Sequence, residues 1–171
     1  MTAERCRARG AAGTTVQLRE LEWTDLPEVG ELDQRIFGRD AWTRQSWWAE
    51  LAGRPRRRYT VATSGERIVG YGGVDCAGST ADVMTIAVAP DQQGHGLGRR
   101  LLERLTRDAR EAGAEALLLE VRADNDSARN LYLRAGFEHI QTRRNYYRPD
   151  NVDAHIMRAA LQLDGAQEGT A

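Results

Sequence analysis

Residues 82–121 read DVMTIAVAPDQQGHGLGRRLLERLTRDAREAGAEALLLEV. A strand-like run to Pro90 gives way to glycines at 94, 96 and 98, and then to a helical pattern over 98–112. That helix carries Leu101, Leu102, Leu105 and Ala109 on one face, and Gly113 is a natural stop. ALLLEV follows as a nearly continuous apolar strand, the pattern of a strand with both faces covered. A strand–helix–strand unit of this length implies a parallel pair joined by a right-handed crossover.

The flanking elements are of another kind. TTVQLREL (14–21) alternates as a first strand. A helix capped by Thr24 or Asp25 follows, with Pro27 in its first turn and Leu26, Val29, Leu32, Ile36 and Phe37 facing inward. WTRQSWWAEL (42–51) reads as a short helix capped by Thr43. RYTVAT, RIVGYGGVD and ADVMTIAVAP are three strands divided by the turn signals SGE and AGS. After the 82–121 unit, DNDSARNLYLRAG forms a helix capped at Asn125 or Asp126, with Ala128, Leu131, Tyr132 and Ala135 in register. Strands at 137–147 and 154–161 flank an RPDN turn. The order β-α-α-β-β-β-α-β-α-β-β predicts one mixed α/β domain over 14–161: a mostly antiparallel sheet with one parallel pair and helices on both faces. Loose tails are expected at 1–13 and 162–171.

Composition narrows the chemistry. The chain has 171 residues and a formal net charge of −1, and all 24 basic residues are arginine. Without lysine, neither a Schiff base nor a phosphate-loop lysine is available. The near-neutral balance gives no electrostatic footprint for nucleic acid. Two cysteines, Cys6 and Cys76, make no disulfide framework, and His95, His139 and His155 have no metal-ligand spacing. No apolar run approaches the ~18 residues of a membrane helix, and MTAERCRARGAAG lacks the apolar middle of a signal peptide. The expectation is a cytoplasmic protein with no metal and no membrane partner.

The glycine turn has two readings. It is either a plain strand-to-helix turn or an anion cradle, in which backbone N–H groups at a helix N-terminus converge on phosphate oxygens. A Walker loop requires lysine where this chain has Arg99, and 94-96-98 is not the G-x-G-x-x-G of a dinucleotide fold.

MTIAVAPDQQGHGLGRRLL followed by LLLEVRADNDSARNLYLRAGF resembles the acetyl-CoA-binding core of the GNAT N-acetyltransferases, whose Q/R-x-x-G-x-G/A turn falls on Gln93, Gly96 and Gly98. The LLLEVR…LY…GF run and RRNYY…DAHIM are similar to the RimI-type enzymes that acetylate the N-terminal alanine of small-subunit ribosomal protein eighteen. The resemblance spans about residues 15–161. It implies a GNAT-like fold and acetyl-CoA as cosubstrate. The coenzyme's pyrophosphate would lie on Gly94, His95, Gly96, Leu97, Gly98 and Arg99, and its pantetheine arm along Ile86, Ala87 and Val88. Asn125 would also contact the cofactor, although as a residue it reads equally as an N-cap.

Moving an acetyl group from a thioester to an amine needs a neutral amine, a stabilised oxyanion and a proton for the departing thiolate. An α-amine with a pKa of about 7.7–8.0 is already partly neutral at pH 7, unlike a lysine amine. Glu120 is the one charge in ALLLEV, at the strand end where open sheets place ligands. As a desolvated carboxylate it would be a general base, and the resemblance gives it that role; otherwise it pairs with Arg122 or Arg143. Tyr132 lies on the inward stripe of its helix. It is a core tyrosine or, as the resemblance implies, the proton donor to the thiolate with an ordinary pKa of about 10. The same resemblance places Trp42, Tyr146 and Tyr147 at the peptide entrance, against packed core aromatics as the alternative. The chain reads Asp40-Ala41-Trp42 where the enterobacterial pattern has Phe-Pro-Trp. Rival functions are a GNAT acting on a small amine or on internal lysines, and a non-catalytic acyl-CoA-binding module, which would need neither Glu120 nor Tyr132.

Overall fold

Glycine at every second place in one central strand sets the layering. The computed structural model describes residues 15–161, so the tails expected at 1–13 and 162–171, and Cys6 with them, lie outside the described residues. In β3 (Arg67–Cys76), Gly70 and Gly72 lie against α3 (Leu97–Glu111), where a Cβ would come within 3.3 Å of Leu101 and 3.2 Å of Leu105. Tyr71, on the other face by the period of two, is fully buried against Trp47, with ring centroids 5.3 Å apart. One face of the sheet thus carries α3. The other carries α1 (Leu26–Phe37) and α2 (Arg44–Ala52), which holds Trp47.

The remaining elements are β1 (Val16–Glu20), β2 (Arg57–Ser64), β4 (Thr80–Val88), β5 (Ala116–Arg122), α4 (Asp126–Arg134), β6 (Glu138–Tyr147) and β7 (Val152–Ala160). Their succession is the one read from the sequence. The sheet runs β1-β2-β3-β4-β5-β7-β6, and β4 with β5 is its parallel pair. Strand β7 enters between β5 and β6, which leaves β6 at the edge.

Boundaries moved by a residue or two, for local reasons. Asp25 holds the N-cap position of α1 as expected, but its side chain does not cap the helix. Its carboxylate accepts the Glu22 N–H at 2.8 Å and pairs with Arg19, closing a short 3-10 turn over 23–25, so the helix starts at Leu26. Thr43 caps α2 as expected, accepting the Ser46 N–H at 3.1 Å. Helix α3 begins at Leu97, not 98, because Gly96 takes the cap position. Leu26, Val29 and Leu32 are buried, but Phe37 is 39% exposed: it is the last residue of α1, where the chain turns away. Ala135, at the end of α4, is exposed as well.

Where β4 meets β5 the sheet opens. Pairing covers Thr80–Asp82 against Ala116–Leu118 and then stops, although β4 runs on to Val88 and β5 to Arg122. A register shift on the β3 side explains the divergence. Gly73 faces Thr85 and Val74 faces Val83, so Met84 is an extra residue that bends β4. The facing edges beyond the last pair form a slot whose backbone groups are unpaired across it.

Candidate active site

The slot ends at the glycine turn. Gly94 (φ 78°) and Gly96 (φ 80°) both hold the left-handed conformation that side chains disfavour, and a Cβ on either would meet no atom of the described residues within 4 Å. The first helical bond of α3 runs from the Arg100 N–H to the Gly96 carbonyl at 3.1 Å, and no side chain among the described residues caps the helix. The N–H groups of Leu97, Gly98 and Arg99 are therefore free of the helix at its positive end. His95 stands exposed between the two glycines. Gly98 serves a different purpose: its Cβ would touch Leu131 of α4 at 3.4 Å, so it lets α4 pack against the start of α3. The Arg99 side chain points along the helix to Glu103, 2.7 Å away, leaving its backbone N–H as its contribution to the turn. Asn125 caps α4 by accepting the Ala128 N–H at 3.1 Å. Among the described residues no cluster of histidine, cysteine and carboxylate side chains has the geometry of a metal site.

Ile86, Ala87 and Val88 form the end of β4 along the slot, and Glu120 lies on the β5 side. The desolvation expected of Glu120 is absent. Its side chain is 33% exposed, because it lies on the less covered face of β5, opposite the buried Leu117, Leu119 and Val121, and its Oε1 accepts from Arg143 of β6. Glu120 in turn raises the Tyr146 hydroxyl above its ordinary range. Tyr132, in contrast, is 8% exposed and packs on Phe137 at 5.8 Å. Burial, and to a smaller extent Tyr147, push its pKa up to about 12, not the ordinary value expected. The hydroxyl consequently stays protonated throughout any working pH. It has no hydrogen-bond partner among the described residues.

The three aromatics grouped at the entrance in the sequence reading occupy two places. Tyr146 and Tyr147 lie together, rings 5.2 Å apart, beside Glu120. A bulge after Arg143, with Asn145 at φ 51° and its N–H on Asp153 at 2.8 Å, produces this pairing. Trp42 instead stacks into the core aromatics, 4.9 Å from Trp47 and 6.4 Å from Tyr59. It also lines a groove of about 680 Å³ between α1 and α2. From the same loop it is Asp40 that bears on Tyr147.

One residue with a structural part in this site escaped the sequence reading. Asp33 is 2% exposed; its carboxylate accepts the Trp42 N–H at 2.6 Å and the Tyr71 hydroxyl, pinning the loop between α1 and α2 to the sheet. A carboxylate beside Leu32 on the apolar stripe of α1 was the available signal.

Relatives share this arrangement of elements. The chain matches the acetyltransferase (GNAT) family over residues 15–137. It is 40% identical over 148 residues to the N-alpha-acetyltransferase RimI of Mycobacterium tuberculosis, across 84% of this chain and 91% of the relative. It is 35% identical over 148 residues to the ribosomal protein bS18-alanine N-acetyltransferase of Escherichia coli, across 85% and 98% of the two. The crystal structure of the ribosomal-protein-S18-alanine N-acetyltransferase from Escherichia coli superimposes with a TM-score of 0.78 at 32% identity, covering 90% of this chain and 98% of that one.

Proposed function

Because the chain belongs to the GNAT acetyltransferase family, we propose that it transfers the acetyl group of acetyl-CoA to the α-amine of protein N-termini, with the N-terminal alanine of ribosomal protein bS18 as its natural target. The observation that carries the reading is the open β4–β5 slot, bounded by an uncapped glycine turn at one end and by Glu120 with the paired tyrosines at the other. Identity to enzymes named for bS18-alanine acetylation supports the choice of target.

The residues fit the coenzyme. Two left-handed glycines with open space before them suit a pyrophosphate, and the free N–H groups of Leu97, Gly98 and Arg99 supply donors. Acetyl-CoA brings the activated acyl thioester; the chain does the rest. Ile86–Val88 offers the unpaired strand edge for the pantetheine arm, and one of its N–H groups stabilises charge on the acyl oxygen. Glu120 accepts the proton of the incoming amine. Tyr132 keeps its proton and donates a hydrogen bond to the sulfur as the C–S bond breaks, and the thiolate then takes up one proton, matching the one Glu120 removed from the amine. Asn125 adds a polar contact to the coenzyme, while Tyr146 and Tyr147 flank the amine. Trp42, held by Asp33, sets the position of the loop opposite them.

Gly96→Val tests the cradle. A Cβ there blocks the open space and strains a φ of 80°, so the acetyl-CoA dissociation constant rises at least tenfold, about 1.4 kcal/mol, by calorimetry. Gly98→Ala, whose Cβ meets Leu131, leaves affinity within about twofold. Equal losses at both positions, or none at Gly96, contradict the cradle. Substrate choice tests the reading as a whole. Among peptides differing in residue one, kcat/KM is higher for Ala than for Leu. A flat panel contradicts alanine as the preferred first residue.

A further inference from the structure

Two arginines flank the candidate base, and they are not equivalent. Arg122 of β5 and Arg143 of β6 are both in register with Ala154 of β7, so both lie on the sheet face that carries Glu120. The small, buried Ala154 lets Arg143 reach across β7 to β5. Arg122 is engaged elsewhere: Asp124 holds it at 3.0 and 2.9 Å, Asp150 at 3.5 Å, and Tyr147 stacks under it at 5.2 Å. Among the described residues Arg143 has Glu120 as its sole carboxylate partner, and the ring of Tyr146 lies 5.5 Å from its guanidinium.

Resting on the N-terminal acetylation reading, we propose that Arg143 is a positioning residue that closes Glu120 in the empty site and yields to the incoming α-amine by releasing Glu120 while keeping its seat over Tyr146. That seat is made in the empty site together with the Glu120 pair, the guanidinium lying 5.5 Å from the centroid of the Tyr146 ring, so releasing Glu120 leaves Arg143 held by the aromatic face. Seated there, Arg143 keeps a positive charge next to the bound amine. A like charge disfavours the ammonium form, so a larger share of the amine is neutral and nucleophilic at a given pH.

The other ionisable groups around this point are known. Asp82 on β4 interacts with Glu120, and burial raises its own carboxyl. Tyr146 and Tyr147 come from β6, Arg122 from β5, Tyr132 from α4 and Asp40 from the loop after α1. His155 of β7 faces the opposite side with His139, ring centroids 4.6 Å apart. None of these brings a second unpaired cation to the amine.

The test is kcat and KM against pH for an alanine-initiated peptide, using wild type, R143Q and R143K. In R143Q the acid limb of kcat moves up by half a pH unit or more, because the amine deprotonates later, while KM for the peptide does not rise. R143K keeps the charge and stays with wild type. Arg143 is half exposed on an edge strand, so R143Q folds, as thermal melting checks. Tyr146→Leu removes the ring that holds Arg143 off Glu120, and the severalfold rise in KM it causes in wild type is smaller in the R143Q background, which retains only the loss of the Tyr146 contact to the amine. A profile lowered by one factor at every pH with its limb unmoved overturns the proposal. Wild type leaving the α-amine unacetylated would instead overturn the function on which it rests.

Discussion

Glu120→Gln lowers kcat by about a hundredfold or more, with acetyl-CoA affinity barely changed. The amide matches the carboxylate in shape but cannot accept the amine's proton. The loss shrinks as pH rises past the α-amine's pKa of about 7.7–8.0, since a neutral amine no longer needs a base to reach its reactive form. Stopped assays across pH 6.5–9.5 with an alanine-initiated peptide check this. The side chain is a third exposed, so the variant leaves no buried unpaired group, and its melting temperature should hold. A loss of equal size at every pH, or no loss, returns Glu120 to the role of ion-pair partner for Arg143.

Asp33→Ala destabilises the fold by about 2–4 kcal/mol, since two donors lose their acceptor at once and each orphaned group costs about 1–3 kcal/mol. The Tyr71 hydroxyl is buried, and Asp33 holds it above its ordinary range together with burial, the larger cause. The Trp42 N–H is the second orphan. For a chain of this length the loss corresponds to roughly 5–15 °C in melting temperature. Asp33→Asn recovers much of it, because an amide accepts from Trp42 and donates to the Tyr71 oxygen. Calorimetric melting of the three proteins decides. If Asp33→Ala melts with wild type, the loop is held by the Trp42–Trp47 stack alone.

The fold was legible because its signals are local. The 82–121 unit announces itself by a switch from strand to helix periodicity at three glycines, and the observed sheet has its parallel pair there. What the sequence does not carry is the divergence of β4 from β5. Met84 is an unremarkable apolar residue in an apolar strand, and only the pairing of Gly73 with Thr85 and Val74 with Val83 makes it a bulge. The same limit applies to the site. Glu120 and Tyr132 were identifiable as candidates, but the exposure of the first and the hydroxyl pKa of the second were not. Glu120 is wetter than expected, because its face of β5 is less covered, and Tyr132 is the buried tyrosine its helix stripe indicates, with burial taking its hydroxyl above the ordinary pKa. Arg143 was one of two possible partners for Glu120. The choice depends on Asp124 and Asp150 occupying Arg122, a tertiary arrangement. Trp42 followed its burial: aromatic packing against Trp47 and Tyr59 gave it a place in the wall of the loop and not beside Tyr146.

The central claim, acetyl transfer to an α-amine, is tested most directly by locating the product. A peptide with a free N-terminal alanine and one internal lysine is incubated with the full chain and acetyl-CoA, then fragmented in a mass spectrometer. The account predicts the added acetyl group on residue one, with an N-blocked version of the same peptide nearly inert. Acetyl found mainly on the internal lysine, or equal turnover of the blocked peptide, contradicts it.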